Sequence, residues 1–70
     1  MDRFNHKSAV RKAVKEAGGN NSLARKLGIS SAAVSKWEKI PIRKVLVIEE
    51  LTGISRHDLR PDIYPREEAA

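Results

Sequence analysis

Ser31, Ala32, Ser35 and Lys36 lie within six consecutive positions, and their types suit contact with the edges of nucleic-acid bases. A serine hydroxyl pairs with bases or phosphates, and an exposed alanine methyl packs on the methyl of thymine. A lysine reaches the acceptors of guanine. A second set, Asn21, Ser22, Lys39, Arg43 and Lys44, suits phosphate oxygens. Asn21 and Ser22 fall where a helix should begin, and its first N–H groups and dipole favour an anion there. Arg43 and Lys44 fall at the start of a later helix. Their plainer reading is a solvated face.

Other chemistries find less support. Ser22 has Arg and His nearby in the chain but no base–orienter arrangement to make it a nucleophile. His6 and His57 stand far apart, with no histidine or cysteine cluster to complete a metal site. Trp37, the single tryptophan, offers a ring for base stacking, but its spacing from Val34 places it in the core. No cysteine is present, so disulfides and thiolate zinc sites are excluded. The expectation is a chain that is not an enzyme and uses no metal or cofactor.

The charge distribution favours an anionic partner. Formal net charge is +5 over 70 residues. Residues 1–39 hold nine Lys/Arg against three Asp/Glu, whereas residues 40–70 hold five against six. A basic N-terminal half beside a near-neutral C-terminal half is an electrostatic footprint for nucleic acid, an acidic protein or a membrane face. No apolar run approaches the roughly 20 residues that span a bilayer. The lack of cysteine fits a reducing cytoplasm, and no membrane partner is expected.

These residues need elements to hold them. Asn5 or His6 opens a first helix with Val10, Ala13, Val14 and Ala17 on one stripe and Lys7, Arg11, Lys12 and Lys15 on the other. Gly18-Gly19 stops it, and Asn20 or Asn21 caps a second helix ending near Leu27. Ser30 caps a third, expected from Ser31 to Lys39. Pro41 suits the first turn of a fourth, with Val45, Ile48 and Leu51 facing inward and Gly53 closing it. Ser55-Arg56-His57-Asp58 has the form of a capping box for a short fifth helix, which Pro61 stops. No stretch alternates as a strand would. The reading is all-α: one domain over residues 1–64 and a frayed tail over 65–70.

The stretch LARKLGISSAAVSKW shows why one helix should break in two. Glycine in a helix interior costs roughly 1 kcal/mol against alanine, yet Gly28 interrupts an apolar face that continues on either side. Two short helices joined there form a helix-turn-helix over about residues 20–39. At about 100° per residue, Val34 and Trp37 define the buried side of the third helix. Ala32, Ser35, Lys36 and Lys39 face the other way, with Ser31 projecting from the first turn. Short side chains let such a helix sit deep in the major groove of DNA.

At this point the residues resemble a known family. Asn20 to Lys39 is similar to the helix-turn-helix of the phage Cro and repressor superfamily. The fuller run GGNNSLARKLGISSAAVSKWEKIP, followed by VLVIEELTGISRHDLRPDIYP, resembles the YdaS-like branch of Cro proteins. The resemblance covers about residues 14–65. It implies a compact five-helix, lambda-repressor-like domain that regulates transcription in a prophage or its bacterial host. Lys36 stands where many relatives carry glutamine, so operator preference does not carry over.

The leading expectation is thus a DNA-binding repressor reading an operator. Its alternative is an antitoxin-like protein that binds a toxin partner through Leu59–Pro65 and regulates its own promoter. One recognition helix reads few base pairs, so a homodimer on a pseudo-palindrome is expected. Leu59, Ile63 and Tyr64 offer apolar area for that pairing in the neutral half. For Leu59 the competing reading, closure of the monomer's own core, is the stronger.

Overall fold

In the computed structural model, which describes residues 4–65, the first helix, α1, runs His6–Ala17. It starts where the Asn5 side chain accepts the Ser8 N–H at 3.1 Å. Its end is set by Gly18 at φ 97°, a left-handed conformation that glycine adopts without a Cβ penalty. The Gly18 and Gly19 N–H groups return to the Lys15 and Val14 carbonyls, satisfying acceptors the helix leaves open. Residues 66–70, most of the expected frayed tail, lie outside the described residues.

Helix α2, Asn20–Leu27, and helix α3, Ser31–Ser35, pack on each other across the Gly28 turn. Gly28 takes φ 74°, and its N–H and that of Ile29 close back on Arg25 and Ala24. Ser30 caps α3 by accepting the Ala33 N–H at 3.1 Å. A 3-10 turn at Ile42–Lys44 leads into α4, Val45–Thr52, and α5 spans Arg56–Leu59. There are five α-helices and no strand among the described residues. Helix α1 contacts α2 on one side and the α4–α5 pair on the other. Val10, Ala13, Leu23, Val34, Ile40, Val45, Ile48 and Leu59 form one buried cluster between them.

Four local expectations are corrected. The third helix stops at Ser35 rather than reaching Lys39. Ile40 is fully buried and precedes Pro41, and a residue before proline is pushed out of the helical region. A continued helix would also swing Ile40 about 120° away from Val34 at 100° per residue. The chain leaves the helix so that Ile40 can enter the core. Pro41 precedes a 3-10 turn instead of sitting in the first turn of α4.

Leu51 is exposed, not inward. Ile54, just past the helix, enters the core, where Thr52 donates to the Ile48 carbonyl at 2.7 Å and accepts the Ile54 N–H at 3.1 Å. Trp37 is only partly buried. It packs on the core from one side and walls a surface groove on the other.

The C-terminal segment is tied down by a buried charge. Arg60 is almost fully buried and donates through Nη1 to the Ile40 carbonyl at 2.6 Å. Its Nε and Nη2 grip both oxygens of Asp62 at 2.9 and 2.6 Å. Those hydrogen bonds hold the Asp62 carboxyl far below the usual carboxylate range and raise the Arg60 guanidinium further. Leu59 is fully buried, as the closure reading had it. Tyr64 is half-buried, with Arg56 over its ring and its carbonyl 2.9 Å from His57 Nδ1. Of the three residues expected at a dimer contact, Ile63 alone stays exposed.

Candidate nucleic-acid interface

The outer side of α3 is bare in the way its side chains suggest. Ala32, Ser35 and Lys36 are exposed and Ser31 is half-exposed, while Val34 on the opposite side is buried. Lys36 is the C-cap residue and still lies at the end of this face. Its own N–H returns to carbonyls of the helix, so its side chain alone is offered outward.

One contact at this face escaped the sequence reading. Asn20 does not cap α2; Gly19 precedes that helix with no side-chain cap bond. Instead Asn20 Nδ2 donates to Ser35 Oγ at 2.8 Å, joining the start of α2 to the end of α3. The bond occupies one lone pair of the serine oxygen and leaves its O–H and a second lone pair for a ligand. Asparagine before a helix reads first as a cap, and only the crossing of the two helices shows the other partner.

The phosphate candidates surround this face unevenly. Asn21 is exposed and Ser22 half-exposed in the first turn of α2, next to the open N–H groups of that turn. Lys39 is exposed but stands on the loop after α3, so the helical wheel does not set its direction. Arg43 and Lys44 lie in the 3-10 turn, the first exposed and the second half-buried. Lys39, Arg43 and Lys44 form no ion pair among the described residues. Lys26, by contrast, reaches the Ala17 carbonyl at 3.5 Å. Lys7 lies 3.9 Å from Glu38, an exposed pair worth little.

Beside the face runs an open groove between α1 and α3, floored by Val10, Val14, Val34 and Trp37. Lys7, Arg11 and Lys15 of α1 rim it, and Asn20 and Ser35 close one end. The basic stripe of α1 and the short-side-chain face of α3 are therefore neighbours. Together they make one cationic surface, with an apolar-floored groove running between them. Among the described residues no group of three or more His, Cys, Asp and Glu is placed to hold a metal. No helix there is long and apolar enough to cross a membrane.

The fold and this surface define a small all-helical domain built around a glycine-turned helix pair. Residues 10–68 match the family described as bacterial toxin YdaS, and the chain belongs to that family. It is similar to the gene 30 protein of Enterobacteria phage phi80, with 32% identity over 65 residues covering 86% of this chain and 89% of the relative. The likeness places the chain among phage-related proteins. No solved structure matches.

Proposed function

We propose that the chain is a sequence-specific DNA-binding transcriptional regulator that lays α3 in the major groove of an operator. The observation that carries this is the outer face of α3: short exposed side chains, with Ser35 fixed by Asn20, beside a run of cations on α1. Ser31, Ala32, Ser35 and Lys36 read base edges in this account. Asn21, Ser22, Lys39, Arg43 and Lys44 hold the flanking phosphates, which position the helix without reading sequence. The protein acts as a homodimer on a pseudo-palindrome, with recognition helices about 34–36 Å apart, one turn of the duplex.

Selection of bound duplexes from a random pool tests the reading. A twofold-related consensus, bound with steep salt dependence, supports it. Failure to enrich any sequence contradicts it.

The family's description as a bacterial toxin favours a second reading in a toxin–antitoxin pair, with the chain as an antitoxin-like protein that binds a toxin partner and controls its own promoter. Tight capture of a neighbouring gene product, insensitive to salt, would select it over the first.

A further inference from the structure

Five large apolar side chains stay exposed among the described residues, and four of them lie between positions 42 and 51: Ile42, Leu46, Val47 and Leu51, at 58, 44, 39 and 36%. At 100° per residue along α4, Leu46 and Val47 point away from Val45 and Ile48, which face the core; Leu51 lies at the edge of that exposed face and Ile42 in the 3-10 turn before it. Leu46 and Val47 sit on adjoining ridges of α4, the features that helices use to pack on each other. Helix α4 contacts α1, α5 and its own leading turn, and none of these covers this face.

The charges on the same face say what would. Arg43 lies at its N-terminal end and Glu50 at its C-terminal end, both exposed and neither ion-paired within the described chain. Glu49 is already taken by Arg56 at 3.1 Å. A face with a cation at one end, a carboxylate at the other and apolar residues between is complementary to itself turned through 180°. A twofold axis midway between Leu46 and Val47 sets Arg43 of one copy against Glu50 of the other, with Leu46 and Val47 of both copies at the centre. Every contact then occurs twice, as an isologous interface requires. The helix dipoles also run antiparallel.

We propose that the Ile42–Leu51 face of α4 is the contact between two copies of this chain, packed antiparallel about that axis. The proposal deepens the functional reading, which needs two protomers on one operator, and moves the contact away from Leu59 and Tyr64. In the paired form Arg43 turns to Glu50, leaving Asn21, Ser22, Lys39 and Lys44 for phosphate. The patch is roughly a few hundred Å², well short of the ~800 Å² per partner of a standard interface. The free dimer is therefore weak, and DNA strengthens it by holding both copies together.

Sedimentation equilibrium of the full chain without DNA, up to millimolar concentration, tests the contact apart from any nucleic acid. The expected result is a reversible dimer. Leu46→Asp weakens it by about tenfold or more, since one substitution strikes the centre twice. Glu50→Arg and Arg43→Glu each weaken it, and the two together restore it. The native chain lacks cysteine, so Val47→Cys should give a disulfide-linked dimer on oxidation, whereas Ile63→Cys should not. A monomer at every concentration, linkage through position 63 alone, or no restoration in the double reversal overturns the proposal. Dimerisation through α4 without duplex binding would keep it and overturn the regulator reading. Sequence-specific duplex binding by single copies would overturn the proposal and the homodimer on the operator, and leave the recognition face of α3 standing.

Discussion

Asn20 donates to Ser35 across 2.8 Å, so the first residue of α2 holds the hydroxyl of the last residue of α3. The two residues stand fifteen positions apart and meet because Gly28 turns the chain back on itself. A hydroxyl held in this way meets a base with less freedom to lose, and rigidity of that kind favours discrimination over bare affinity.

Asn20→Ala should leave the helical content intact and lower stability by only about 0.5–1.5 kcal/mol, the net value of one hydrogen bond. Its larger effect should be on specificity at the base pair that Ser35 faces. Urea unfolding and binding to a selected duplex and its single-base variants separate the two effects. Unchanged discrimination would show that Ser35 does not read a base.

Arg60→Met should cost about 1–3 kcal/mol, because it leaves the Ile40 carbonyl buried without a donor. The loss should appear as a lower urea midpoint with an unaltered slope. A change within error would mean that the carbonyl finds water on its own.

Acid should weaken the fold through Asp62. Its folded carboxyl ionises far below its ordinary value of 3.8, so the unfolded chain takes up the proton first as pH falls. The contribution is complete above the unfolded value and is lost as pH drops from about 5 through 3 and below. It is modest, since the Asp62 side chain is 42% exposed and solvent screens the pair. Asp62→Asn should flatten the stability profile over that range, read by thermal unfolding at successive pH values. An identical slope in the variant would assign the acid sensitivity elsewhere.

The residues that end helices were the most legible in the sequence. Asn5, Gly18, Gly28, Ser30, Gly53 and Ser55 all stand at the boundaries their chemistry predicts, because a cap or a left-handed turn is decided within three or four residues. What depends on distant partners was not legible. Asn20 has two uses for its amide, and only the packing of α3 on α2 selects one. The early end of α3 answers to the burial of Ile40, six residues after Val34. Leu51 of α4 stays exposed while Ile54, just past the helix, enters the core, where its N–H is held by the Thr52 hydroxyl. The outer face of α3 survives these corrections because short side chains opposite a buried valine are a local pattern. Lys39 does not keep its place on it.

Lys39→Ala should weaken binding to every duplex by the same factor and reduce the slope of log K against log salt by about one. Titrations of a selected and a scrambled duplex at three or more salt concentrations check this. A loss confined to the selected duplex would move Lys39 from phosphate to a base edge.

Reading of DNA sequence by the outer face of α3 is tested most directly by one ratio. It is the affinity for a selected duplex over a scrambled one of equal length, at a single salt concentration, for the native chain and for Ser31→Ala/Ser35→Ala. A ratio of about 10³ or more is expected for the native chain, as in specific protein–DNA complexes generally. A steep fall in that ratio is expected for the variant, with binding to the scrambled duplex little changed. Equal ratios in the two proteins, or a native ratio near one, would contradict that reading.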